Sequence, residues 1–188
     1  MGQNFKLAMA GEGGQGVQSV AMILTEGAYD SGREAIYIPN FGVEQRGGVS
    51  IAFVQIGSKP IEAPKFKTAD MVVALSDRAV LRTGMYVGPE TVFIYDESTK
   101  ATEEDLPRQA KKIIPIPAIA IAKEEFNPRV FNIIIMGAII GLSQVLTEEQ
   151  AREAIENKLG YKFEQKPELR EMNFNALSRG INLVQGLL

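Results

Sequence analysis

Short apolar runs alternate with stretches in which apolar residues recur every three or four positions. The two rhythms divide the chain into strands and helices. Residues 5–10 (Phe-Lys-Leu-Ala-Met-Ala) read as a buried strand that runs directly into the turn Gly11-Glu12-Gly13-Gly14-Gln15-Gly16. Residues 17–30 place Val20, Ile23, Leu24 and Ala28 on one face of a helix, closed by Ser31-Gly32. A second strand, 34–38, stops at Pro39-Asn40, and a third spans 48–56. The residues between them are too few for a crossover helix, so some antiparallel pairing is expected. Strands follow at 71–75, 91–95 and 113–117, with a short helix at 77–83 capped by Ser76.

The last third reads as helical. A helix at 118–126 is followed by Asn127-Pro128, with proline at the favoured first position of the next. Thr147-Glu148-Glu149-Gln150 is a capping-box signal for a helix at 148–159, and a last helix spans 167–184. The expected architecture is one domain over residues 1–188. It is α/β, a three-layer α/β/α arrangement with a mostly parallel sheet, some antiparallel pairing and a helical C-terminal third.

The most apolar stretch, residues 130–146, carries Asn132, Ser143 and Gln144. At that length it sits at the short limit for a membrane span and reads as a buried helix. Gly137 and Gly141 are four apart on it, a spacing that lets another helix approach closely. That helix belongs either to the same domain or to another subunit. The first residues show no signal-peptide pattern, and the expectation is a cytoplasmic protein without a membrane partner.

Composition removes several chemistries. Among 188 residues, Lys+Arg 20 against Asp+Glu 23 gives a net charge of −3, and no long basic run appears, which argues against a nucleic-acid partner. Cys 0 excludes thiolate ligands for iron–sulfur clusters, disulfides and a thiol nucleophile. His 0 removes Ser–His triads, the usual zinc sites and the commonest general base. No dense Asp/Glu cluster has metal-ligand spacing. No residue is therefore assigned a catalytic or metal-binding role.

Two glycine turns remain as candidate binding elements. Gly11, Gly13, Gly14, Gln15 and Gly16 lie between a strand and a helix, where backbone N–H groups and the helix N-terminus favour an anion. Two readings stand: a phosphate-facing turn, or a turn that only lets strand and helix pack closely. A dinucleotide site would need an acid at the end of the second strand, and Ile38-Pro39-Asn40 supplies none. Gly16 is followed by Val17, so the Lys-Ser/Thr of a P-loop is absent too. In the second turn, Arg46, Gly47 and Gly48, the guanidinium suits a phosphate or carboxylate, or is a solvated turn residue. Both turns are expected at the same sheet edge.

Taken together, Gly11 to Val17, then Val43-Glu44-Gln45-Arg46-Gly47-Gly48, then Ala69 to Leu75, then Asn173 to Gly180 resemble the gamma subunit of 2-oxoacid:ferredoxin oxidoreductases. The same module is a central domain of single-chain pyruvate:ferredoxin oxidoreductases, and the resemblance covers nearly the whole chain. It implies a complex with alpha, beta and delta-type partners that converts a 2-oxo acid to acyl-coenzyme A and passes electrons to ferredoxin. The complex would use thiamine diphosphate, magnesium, iron–sulfur clusters and coenzyme A, with no redox centre on this chain. The resemblance associates the chain with assembly and with the coenzyme A side of the reaction. On that basis Gly11, Gly13, Gly14, Gln15, Gly16, Arg46, Gly47 and Gly48 face either phosphate or a partner subunit. The alternatives are a free-standing nucleotide-binding oxidoreductase, a pure assembly scaffold, and the indolepyruvate-oxidising relative. Val43-Glu44-Gln45 differs from the Met-Ser-Gln-like run usual in that relative.

Overall fold

The computed structural model describes residues 4–41 and 48–187. Among the described residues, six strands form a single mixed sheet in the order β2-β3-β1-β4-β5-β6. They are β1 (Phe5–Gly11), β2 (Glu34–Asn40), β3 (Ser50–Gly57), β4 (Met71–Ala74), β5 (Val92–Asp96) and β6 (Lys112–Ile116). β1, β4, β5 and β6 run parallel, and β3 is antiparallel to both β1 and β2. The antiparallel pairing expected from the short β2–β3 connection is present.

The α-helices among the described residues are α1 (Val17–Asp30), α2 (Asp77–Thr83), α3 (Ala118–Glu125), α4 (Phe131–Ser143), α5 (Glu148–Gln165) and α6 (Glu168–Leu183). The two faces of the sheet are covered unequally. On one, Leu7, Met9, Val54, Val73 and Ile94 pack against α1, α3, α4, α5 and α6 in the larger core. On the other, Ala8, Ala10, Ile51, Val72 and Phe93 meet α2 and the surrounding loops. Alternation along each strand sends successive side chains to the two cores, which is why these strands read as unbroken apolar runs.

Several boundaries differ from the sequence expectation, each for a physical reason. β2 continues through Pro39 and Asn40, which pair with Ala52 and Ile51. β2 is an edge strand, where a residue without an N–H is tolerated. The apolar stretch at 130–146 divides. Asn127 accepts a hydrogen bond from the Arg129 amide and starts a 3-10 turn at Pro128–Val130. α4 then ends where Gln144 turns left-handed at φ 52°, leaving Val145 and Leu146 buried beyond the helix. α5 runs past 159 to Gln165: Gly160 stands on its outer side, while Phe163 is buried one turn later. The capping signals at Ser76 and Thr147 are realised, the latter with its reciprocal Gln150 bond.

α4 is buried within the fold. Its glycines serve the contact with α6, where Gly137 lies against Leu177, Gly180 and Ile181, and Gly141 against Ile181 and Val184. Of the two readings of this helix, the intradomain one accounts for both glycines. No helix among the described residues is long and apolar enough to cross a membrane.

Candidate functional site

The connection from β1 to β2 carries α1 over the large core. The connection from β4 to β5 carries α2 over the opposite face. Chain direction across the sheet therefore reverses between the neighbouring strands β1 and β4. In open α/β sheets the crevice at the carboxyl ends of such strands is where ligands bind. The turn at residues 11–16 leaves β1 at that point, and Leu75-Ser76 leaves β4 beside it.

Gln15 ties the two exits together. Its Oε1 accepts from the Glu12 amide at 2.7 Å, and its Nε2 donates to the Leu75 carbonyl at 2.8 Å. The backbone of the turn closes with a Gln15 N to Glu12 O bond of 3.2 Å. Both ends of the Gln15 side chain are thus occupied within the protein.

The glycines of the turn fall into two pairs. A methyl on Gly11 would meet Val17 Cγ2 at 2.8 Å and Leu75 Cβ at 3.3 Å, so this glycine permits close strand–helix packing. Gly16 has φ 73° and lies against the Asn132 amide on the first turn of α4. Gly13 and Gly14 are exposed, and a methyl on either would meet nothing within 4 Å. Gly14 alone of these two needs its positive φ, 89°. Packing thus explains the outer pair and leaves the inner pair unexplained.

α1 starts here without a side-chain cap and without an acidic residue in its first turn. Among the described residues, no side chain caps its first N–H groups against the partial positive charge of the helix end. Gln18, the second residue of α1, is held from both sides: its Oε1 accepts from the Tyr37 hydroxyl at 2.5 Å, and its Nε2 donates to Ile51 O at 3.4 Å. Burial holds the Tyr37 hydroxyl above its ordinary pKa, with the Lys158 charge acting the other way.

The register also brings Gly48, the last residue of the second turn, to this edge. Gly11 pairs with Ser50, and Ile51 with Asn40, so Gly48 and Val49 enter β3 beside the glycine turn. Gly48 is half-buried there, while Arg46 and Gly47 lie outside the described residues.

Two groups at the carboxyl edge were not identified from sequence. Asn132 is one; only its contact across the fold with Gly16 reveals it. Asp96, at the end of β5, is the other. It is fully buried, and its oxygens accept from Ser98 N at 2.9 Å and Ile119 N at 3.1 Å. It caps α3 from a distance, a role with no local sequence signal. On the thinner face, Phe53 meets Phe66 and Tyr86 edge-on at 5.6 and 5.1 Å. These rings line a cavity of about 390 Å³ that extends to Ile38, Pro39 and Asn40. Both Asp96 oxygens are spent on backbone amides.

A glycine turn thus stands at the switch point of a mixed α/β sheet and opens on a helix without a side-chain cap. The pyruvate ferredoxin/flavodoxin oxidoreductase family matches residues 6–183, and the chain belongs to that family. It is 31% identical over 176 residues to ketoisovalerate oxidoreductase subunit VorA of Methanothermobacter thermautotrophicus, covering 93% of this chain but 35% of that protein. It therefore spans about a third of that relative's length. It is also 31% identical over 185 residues to 2-oxoglutarate synthase subunit KorC of Methanocaldococcus jannaschii, covering 97% and 95% of the two chains. The pyruvate/ketoisovalerate oxidoreductases common subunit gamma of Pyrococcus abyssi shares 31% identity over 152 residues, covering 78% of this chain and 82% of its own.

Among solved structures, the fold is shared with 2-oxoglutarate:ferredoxin oxidoreductase from Magnetococcus marinus, determined with 2-oxoglutarate, coenzyme A and succinyl-CoA bound. The TM-score is 0.88 at 24% identity, over 99% of this chain and 32% of that one. The gamma subunit of a keto/oxoacid ferredoxin oxidoreductase from Geobacter sulfurreducens matches with a TM-score of 0.79 at 23% identity, over 96% and 95% of the chains.

Proposed function

We propose that this chain is the non-redox, gamma-type subunit of a complex that oxidatively decarboxylates a 2-oxo acid to its acyl-coenzyme A ester and passes the electrons to ferredoxin. In this reading thiamine diphosphate, magnesium and the iron–sulfur clusters are carried by partner subunits. A chain with Cys 0 has no thiolate to offer a cluster.

The glycine turn and Arg46-Gly47-Gly48 form the part of the coenzyme A site that faces phosphate. The observation that carries this reading is the open pair Gly13-Gly14 in front of the uncapped α1. The backbone amides of the turn and of the first turn of α1 would hold a phosphate, and the Arg46 guanidinium would add a charge-assisted bond. Coenzyme A supplies the thiol that accepts the acyl group; this chain's residues bind and orient its anionic part. The coenzyme A reported for the Magnetococcus marinus relative agrees with that class of ligand.

The test is Arg46→Ala in the assembled complex. The KM for coenzyme A rises about ten- to a hundredfold, from the loss of one bond to a charged group, while that for the oxo acid hardly changes. A fall in both activities together with weakened assembly assigns the edge to a subunit interface instead. Assembly and kinetics equal to wild type overturn both roles.

A further inference from the structure

At the opposite edge of the sheet from the glycine turn, the chain leaving β3 folds back beneath the start of β1. There it encloses an open basin of about 560 Å³. Lys6, Lys59, Lys65 and Lys67 line it against one acid, Glu62. The chain as a whole carries a net charge of −3, so this cluster runs against the charge of the protein. Among the described residues no ion pair neutralises any of the four ammonium groups. The nearby Asp70 carboxylate is turned to the backbone amide of Lys6, at 2.7 Å.

The basin is held in shape. Gln55, buried in β3, donates its side-chain amide to Ala63 O at 2.7 Å. Asn4 packs against Gly57, and Phe66 is seated edge-on against Phe53. Pro60 and Pro64 restrict the loop that bears three of the lysines. A partner would thus meet a loop whose ordering has largely been completed on folding. The buried Gln55 side-chain amide is engaged within the protein. Lys59, Lys65 and Lys67 are exposed on long stems around an open rim, and Lys6 is half-buried beside them. Such an arrangement has no convergent donors to define a small anion. It suits several carboxylates distributed along a chain, recognised by charge complementarity.

We propose that this basin is the docking surface for an acidic segment of another subunit of the same complex. The proposal rests on the chain being one subunit of such a complex. It does not depend on what the glycine turn binds.

The test is carbodiimide coupling of the complex purified from co-expressed full-length subunits, which joins only amines and carboxylates already in contact. The expected result is amide links from Lys59, Lys65 or Lys67 to aspartates or glutamates of one segment of another subunit. The same lysines react more slowly with an acetylating reagent in the complex than in the isolated chain. The triple variant Lys59→Glu, Lys65→Glu, Lys67→Glu associates at least tenfold more weakly at low salt, with the gap narrowing as salt rises. Equal acetylation in complex and isolated chain, with no intersubunit link, overturns the proposal while leaving the subunit assignment intact. Protection of the isolated chain by inorganic pyrophosphate, with none contributed by the complex, overturns it in favour of a small-anion site. Failure to co-purify with any subunit overturns this inference together with the reading it rests on.

Discussion

Gly137 on α4 and Gly180 on α6 face each other so closely that a methyl built on either would lie 3.0 Å from the other's Cα. The neighbours around them are backbone: Ile181 N lies 2.9 Å from a methyl on Gly137, and Ile134 C lies 2.9 Å from one on Gly180. Backbone cannot rotate away as a side chain can. Gly180→Ala is expected to cost about 3 kcal/mol, the upper part of the range for overpacking, and to move α6 away from α4. Urea unfolding measures this. A variant as stable as the parent would mean that the helices separate freely.

Gly13 and Gly16 should respond oppositely to substitution. Gly16→Ala places a methyl in a left-handed position and against Asn132, so a loss of about 1–2 kcal/mol is expected. Gly13→Asp meets open space and should unfold at nearly the parental temperature. Its carboxylate would nevertheless stand before the N-terminus of α1. In the assembled complex Gly13→Asp should raise the KM for coenzyme A without altering assembly. An unchanged KM would remove phosphate from the turn.

Asp96 holds the start of α3. Asp96→Ala leaves the amides of Ser98 and Ile119 without their acceptor and is expected to cost about 1–3 kcal/mol. Asp96→Asn keeps one acceptor oxygen and should recover part of that loss. Faster hydrogen exchange confined to the beginning of α3 would localise the effect.

Glu148 predicts the direction of one acid response. The Ser178 hydroxyl donates to its carboxylate, which lowers its pKa, and Arg152 adds a further lowering. A carboxylate with a depressed folded pKa contributes stability above its unfolded pKa and loses it as pH falls through the folded value. Melting temperatures of the parent and Glu148→Gln should therefore differ at neutral pH and converge on acidification. Both Glu148 and Arg152 are more than a third exposed. Solvent screening keeps the expected difference to about 0.2–1 kcal/mol.

The elements whose signals are local were legible in the sequence. Ser76, Asn127 and Thr147 each announced a helix or turn start through a side chain that accepts from an amide two or three residues on. The apolar runs located β1, β3, β4 and β5, which are buried along most of their length. Signals that depend on the whole fold were hidden. β2 runs on through Pro39 because it is an edge strand, which no window around Pro39 reveals. The turn at residues 11–16 was recognised as a motif, but the division between packing glycines and open ones depends on Val17, Leu75 and Asn132 arriving from three separate elements. Asp96 and the lysine basin were missed for the same reason. Ile119, the helical partner of Asp96, lies beyond β6, and Lys6 joins Lys59, Lys65 and Lys67 only after the sheet has formed.

The position of β1 in the sheet has a consequence during synthesis. Phe5 pairs with Ile56, and Leu7 with Met71, so this central strand leaves the ribosome well before either neighbour exists. At roughly 5–20 residues per second the delay is several seconds, with both edges of an apolar strand open. The stretch from Leu7 to Ala10, wholly buried in the finished protein, is then the segment most in need of shielding from other nascent chains. A chaperone that holds extended apolar peptides should bind this chain while residues 5–11 are outside the ribosome and release it once β4 has emerged.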